Sequence, residues 1–213
     1  MSHIDWHSDR GGIALLDSAP EGADIDLRAV RRYRLQRVRE EMLRRDIQAL
    51  ILSDPVNIRY ATGARNMQVF SQRNAPARYL LLTTDRAILY EFTGCLHLAD
   101  GLETIDDVRP ASTASFVAAG PAIARAELDW AREMAATVEA LAGKGANLGL
   151  ERLNAGTSIA LSQFGLRIVD AQFPVEMARA IKSEEEIKCI DASLRATEVA
   201  VGKLRAALRP GIT

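Results

Sequence analysis

The chain has 213 residues, 48% of them hydrophobic and 26% charged. That composition excludes a disordered, collagenous or disulfide-stapled protein and provides a core that needs no metal to hold it. Twenty-seven Lys and Arg stand against 28 Asp and Glu, a formal net charge of -1, so no overall field recruits nucleic acid or an anionic membrane. The opening, Met1 to Gly12, is polar and lacks the basic-then-apolar pattern of a secretory leader, and no apolar run is long enough to span a bilayer. Cys95 and Cys189 are too few for a framework, so two free thiols in a reducing, cytoplasmic compartment are expected.

Residues 1–26 carry Gly, Asp and Ser without periodicity and predict an extended arm. From Leu27 to Asp46, Leu35, Val38 and Met42 recur at helical spacing among arginines, an amphipathic helix. Ile47 to Leu52 is a short apolar run that fits a buried strand. Asp54 and Pro55 then open a short helix as cap and first residue, and Gly63 closes it in a left-handed conformation. Asn66–Ser71, Ala77–Thr83 and Arg86–Phe92 predict strands, the last two a hairpin across Thr84-Asp85, and Glu103–Arg109 a weaker strand.

Ala122 to Ala142 predicts a helix with Leu128, Met134, Val138 and Leu141 on its core face, stopped by Gly143-Lys144-Gly145. Strands at Asn147–Leu150 and Leu166–Val169 flank a helix over Ala155–Gln163. Interleaved strands and helices specify an α/β layered domain. Ser183-Glu184-Glu185-Glu186 is a capping box, and behind it Ile187, Ile190, Leu194, Val201, Leu204 and Leu208 mark one helix face up to Pro210-Gly211. An apolar stripe at a terminus implies a missing partner, either another chain or a further domain.

Three segments, in order, carry a family resemblance: Asp54-Pro55-Val56-Asn57-Ile58-Arg59-Tyr60-Ala61-Thr62-Gly63, Leu148-Gly149-Leu150-Glu151, and Arg179-Ala180-Ile181-Lys182-Ser183 running into Glu184 to Ile187. They resemble the N-terminal domain, and the opening of the catalytic domain, of the creatinase, prolidase and aminopeptidase P family. Asn57 to Thr62 followed by Asn66-Met67-Gln68 looks closest to the branch containing the metal-dependent dimethylsulfoniopropionate lyases. The resemblance implies a ribonuclease-H-like three-layer domain with a mixed sheet over residues 27–178, followed at 179–213 by a linker and the first helix of a pita-bread catalytic domain. It also implies two divalent metal ions held in that second domain by two aspartates, one histidine and two glutamates. His3, His7 and His97 all precede Lys182, so the family histidine has no counterpart, and this chain is expected to be truncated and non-catalytic by itself.

The family role implied for such a domain is homodimerisation, with a loop placed over the partner's active site. Here that substrate-pocket loop holds Arg65, Met67, Gln68, Phe70 and Arg73: the arginines suit a substrate carboxylate, Met67 and Phe70 an apolar wall. Asp54, Pro55, Asn57, Tyr60 and Gly63 are read as a structural motif, since helix capping explains both Asp54 and Asn57 without a substrate. The parent is expected to be a dinuclear-metal hydrolase of the Xaa-Pro peptidase kind or a related lyase. The alternative is a stand-alone interaction module that kept only this domain.

Other motifs have simpler readings. The arginines at 28, 31, 32, 34, 37, 39, 44 and 45 form the solvated face of a helix rather than a nucleic-acid surface, since aromatic stacking partners are few. His3 with His7 lacks further fixed ligands, Cys95 and His97 are near in sequence without making a nucleophile and base, and the acidic triplet at 184–186 suits a helix N-terminus.

Overall fold

A computed structural model describes residues 24–65 and 77–211. They fall into two units, one of residues 31–181 and one of residues 24–30 with 182–211. The elements in chain order are α1 (Leu27–Arg44), β1 (Ala49–Leu52), α2 (Pro55–Thr62), β2 (Tyr79–Thr83), β3 (Ala87–Glu91), β4 (Asp107–Pro110), α3 (Phe116–Ala119), α4 (Ile123–Ala142), β5 (Asn147–Leu150), α5 (Ala155–Ser162), β6 (Arg167–Asp170), α6 (Gln172–Ala180) and α7 (Glu184–Ala207).

Within residues 31–181 the six strands form one mixed sheet in the order β4-β3-β2-β1-β5-β6. Ile51 pairs antiparallel with Leu81, and Ala49 pairs parallel with Leu148, so the strands β1, β5 and β6 run parallel and bring their carboxyl ends to one edge. Strand alternation distributes the apolar side chains over both faces. Leu50, Leu52, Leu80, Leu82 and Leu89 join α1, α2 and α6 in one core, while Ile51, Tyr79, Leu81, Ile88 and Tyr90 join α4 and α5 in the other. The result is a helix–sheet–helix sandwich, which is why the central strands are buried throughout and read as continuous apolar runs. Each fully buried Leu or Ile contributes about 1.5–3 kcal/mol.

Several boundaries differ from the sequence reading. The first helix ends at Arg44, because Asp46 turns left-handed (φ 53°) and the Ile47 amide closes back onto Met42 O at 3.0 Å. Strand β4 is displaced to Asp107–Pro110, where an edge position tolerates Pro110, and Glu103 is instead drawn into an ion pair with Arg31. On α4 the core face centres on Trp130, Met134 and Val138, with Trp130 edge-on to Tyr79 at 5.6 Å, whereas Leu128 is only half-buried. The 3₁₀ turn over Thr93–Ala99 and helices α3 and α6 are additional to the predicted elements. The strand expected over 66–71 lies outside the described residues.

In the second unit, α7 begins with the capping box: Glu186 N donates to Ser183 Oγ at 3.3 Å and Ser183 N to Glu186 Oε2 at 3.0 Å. Asp26 N donates to Glu185 Oε2 at 2.7 Å, and Asp26 Oδ1 caps the start of α1 through the amides of Arg28 and Ala29. Ile187, Ile190, Leu194, Val201, Leu204 and Leu208 are exposed along α7. Among the described residues no helix is long and apolar enough to cross a membrane.

Candidate functional site

The carboxyl edge of a parallel strand block is where α/β folds place ligands, and here that edge holds a polar network built on Asp54, Asn57, Glu151 and Arg179. The chain leaves β1 at Leu52 and turns through Ser53 and Asp54 into α2. Asp54 Oδ1 accepts from the amides of Val56 at 2.7 Å and Asn57 at 3.4 Å, capping the helix, and Pro55 sits where no amide is needed. Asp54 Oδ2 pairs with Arg152.

Glu151 follows β5 directly and is 3% exposed. Its Oε2 accepts from Asp54 N at 3.0 Å and Ser53 N at 3.3 Å, its Oε1 accepts from Asn57 Nδ2, and its carbonyl accepts from Ser53 Oγ at 2.6 Å. Burial pushes its carboxyl above the usual glutamate range, and the Asp54 charge adds to this, while the hydrogen bonds from Asn57 and the two amides pull it back. Arg152, next in the chain, holds a left-handed backbone (φ 49°), which turns the chain away from the sheet. The third element is α6: Arg179 Nη1 donates to Asn57 Oδ1 at 3.1 Å and to Glu176 Oε1 at 3.0 Å. Asp54, Asn57, Glu151, Arg152, Glu176 and Arg179 line an open cleft of about 340 Å³.

The far end of α2 is pinned as firmly. Thr62 O accepts from Thr104 Oγ1, and Tyr60 Oη donates to Ala178 O at 2.9 Å beneath the Arg34 guanidinium, which stacks on its ring. Gly63 is left-handed (φ 82°) and its amide returns to Arg59 O at 2.7 Å. A Cβ on Gly63 would run into Arg31, itself held by a bidentate bond to Glu103, so only glycine fits. Beyond it Ala64 is buried and Arg65 exposed. Burial, and the neighbouring charges of Arg65 and Arg34, shift the Arg59 guanidinium down from its ordinary value. Of the predicted pocket loop, Arg65 is described; Met67, Gln68, Phe70 and Arg73 lie outside the described residues, as do His3 and His7.

Arg152 carries no periodic or motif signal, and Arg179 heads the third segment of the family resemblance without any sign there that it reaches Asn57. The hint to Glu151 is an acidic residue ending an apolar strand, Leu148-Gly149-Leu150-Glu151, where Gly149 is required because a Cβ would collide with Leu50. Several arginines of the basic run bond within the domain: Arg37, Arg44 and Arg45 surround the buried Glu41 carboxylate, and Arg39 donates to Thr83 O at 3.2 Å, while Arg28 and Arg32 are exposed. Gly143 and Gly145 both have positive φ and end α4, and His97 is exposed on the 3₁₀ turn. Among the described residues no group of three or more His, Cys, Asp or Glu could hold a metal, so the family's ions have no fitting site in these residues. Chemically the network holds a turn; its carboxylates are already occupied by donors from the protein.

Residues 34–181 match the creatinase/prolidase N-terminal domain. The chain is 28% identical over 205 residues to a dimethylsulfoniopropionate lyase from Roseobacter denitrificans, covering 96% of this chain and 43% of the relative; it thus spans less than half of that protein's length. In fold it is similar to a Xaa-Pro dipeptidase from Bacillus anthracis (TM-score 0.58, 19% identity, 84% of this chain and 44% of that one). It is also similar to a prolidase from Pyrococcus horikoshii (TM-score 0.56, 21% identity, 84% of this chain and 44% of that one). The chain belongs to the creatinase/prolidase N-terminal domain family.

Proposed function

We propose that this domain is the non-catalytic N-terminal part of a two-domain, metal-dependent enzyme, that it pairs with a second copy, and that it lends the segment beginning at Arg65 to the partner's substrate pocket. The observation that carries this reading is the reach of the similarity to the lyase. A match of 205 residues, 96% of this chain, runs past Ile181 into α7, yet covers 43% of that relative. On this reading the two divalent ions and their aspartate, histidine and glutamate ligands belong to the part that follows α7, and the exposed apolar face of α7 packs there. The anchored exit of α2 at Gly63 supports the pocket role, because a loop can select substrate only from a rigid base. Similarity in sequence to a lyase favours lyase chemistry over Xaa-Pro hydrolysis for the parent.

The test has two parts. The native mass of this chain by light scattering is expected to be twice the chain mass; a monomer at all concentrations removes the dimerisation role. In the whole enzyme, Arg65→Ala is expected to raise KM about tenfold or more with metal content unchanged, the loss of one charge-assisted contact being worth about 1.5–3 kcal/mol. Unchanged kinetics remove the pocket role. Turnover of dimethylsulfoniopropionate against Xaa-Pro dipeptides separates lyase from peptidase.

A further inference from the structure

Glu151 is buried yet, among the described residues, meets no guanidinium or ammonium directly. Its three side-chain donors, Ser53 N, Asp54 N and Asn57 Nδ2, are all neutral. What fixes the direction of the last of these is a residue on another element. An arginine can only donate, so Arg179 Nη1, at 3.1 Å, must face the Asn57 carbonyl oxygen. The Asn57 amide nitrogen then has to face Glu151, and Glu151 Oε1 has to accept. Oε2 is equally committed as an acceptor, to two backbone amides that no rotation can reverse. A proton on Oε2, which already accepts from two amides, would set an O–H against an N–H, and a proton on Oε1 would weaken the oxygen as the acceptor for the Asn57 amide, so protonation is felt at Asn57 or at the start of α2.

We propose that Arg179, Asn57 and Glu151 form a polar relay in which Arg179 locks the Asn57 amide and thereby keeps Glu151 ionised against its burial, coupling the protonation of Glu151 to the turn between β1 and α2. The charged groups around Glu151 are Asp54 at the cap of α2, Arg152 after β5, and Glu176 and Arg179 on α6. Asp54 opposes ionisation; Arg152 is engaged by Asp54 and Arg179 is shared between Glu176 and Asn57, so neither cation reaches the Glu151 carboxylate itself. The relay concerns residues within one compact unit and stands whether or not Arg65 reaches a partner's pocket.

The experiment is a pH titration of this chain with the Glu151 carboxyl carbon and the Asn57 side-chain amide followed by NMR. Three results are expected. The Asn57 amide resonances move with the same midpoint as the Glu151 carboxyl. Arg179→Gln, whose amide can accept as well as donate, raises that midpoint by about 0.5 unit or more, while Arg179→Lys, which can only donate, leaves it near the wild-type value. In an Asn57→Ala background the Arg179→Gln shift disappears. A shift that persists undiminished without Asn57 is a through-space charge effect and overturns the relay, as does a Glu151 midpoint indifferent to Arg179→Gln. Should Asn57→Ala fail to fold, the wild-type amide titration decides alone: Asn57 resonances that stay fixed while Glu151 titrates overturn the proposal.

Discussion

Glu91 and Glu151 are both buried carboxylates at the ends of strands in the same sheet, and the fold satisfies them in opposite ways. Glu91 closes β3 and meets a formal charge, the Arg78 Nε at 2.5 Å, with both side chains 1% exposed. Glu151 follows β5 and, among the described residues, meets neutral donors alone, two backbone amides and Asn57. A carboxylate bound by a guanidinium is one half of a neutral unit, costly to break but indifferent to small changes nearby. A carboxylate held by amides balances burial against hydrogen bonds, so its proton affinity depends on how those amides are oriented. The first arrangement suits a sheet core, the second a turn that joins three elements.

The contrast can be broken first at Glu91. Glu91→Gln leaves the Arg78 charge buried, and among the described residues the Arg78 Nη atoms already find no acceptor. The expected loss is about 3–5 kcal/mol in urea unfolding, with most of it recovered when Arg78→Met is combined with Glu91→Leu, because removing both charges also removes their desolvation cost. A loss below about 1 kcal/mol for the single change would mean that the pair is not buried in solution.

The matching change at Glu151 has a different signature. Its carboxyl stands above the ordinary glutamate range in the fold. Its contribution to stability is therefore fully present below the unfolded-state value and declines as the pH rises through the folded one. Glu151→Gln should abolish that decline, so the deficit of the variant relative to wild type is largest at low pH and shrinks as the pH rises. Each unit of separation corresponds to about 1.4 kcal/mol, read from unfolding free energies measured between about pH 4 and 8. Parallel pH curves for the two proteins would contradict the assignment.

Asp54→Ala sharpens the comparison at its small end. It removes the cap of α2 and the partner of Arg152 but leaves the Glu151 carboxylate with its donors, so about 1 kcal/mol is expected. The same change removes a neighbouring negative charge and should lower the Glu151 midpoint, the reverse of Arg179→Gln. A rise in that midpoint would show that the cap geometry, not the charge, governs Glu151.

Much of this was legible before the fold. Asp54, Pro55 and Gly63 announce their roles because helix caps follow local chemistry, and β1, β2 and β3 show as apolar runs because both faces of the sheet are covered. Asn57 is readable as part of the cap, yet its side chain bridges Glu151 and Arg179, residues 94 and 122 positions distant. Trp130 was overlooked on α4 in favour of Leu128, since a helix with an apolar majority leaves its inward direction undecided until the sheet is there to receive it. Helix α6 gives little signal in the sequence because Pro174 sits within its first turn and its buried face is short, Pro174, Val175 and Ala178.

The sequence by itself determined the layered α/β class, the turn chemistry of Asp54 to Gly63 and the capping box of α7, because each rests on interactions within a few residues. Only the tertiary structure decided that β1 lies between an antiparallel and a parallel neighbour, that Gly149 must leave room for Leu50, and that Glu151, Asn57 and Arg179 converge. Those outcomes depend on pairing distant segments, and a distant pairing has no periodicity to betray it: its free energy exists only once burial has brought the groups together.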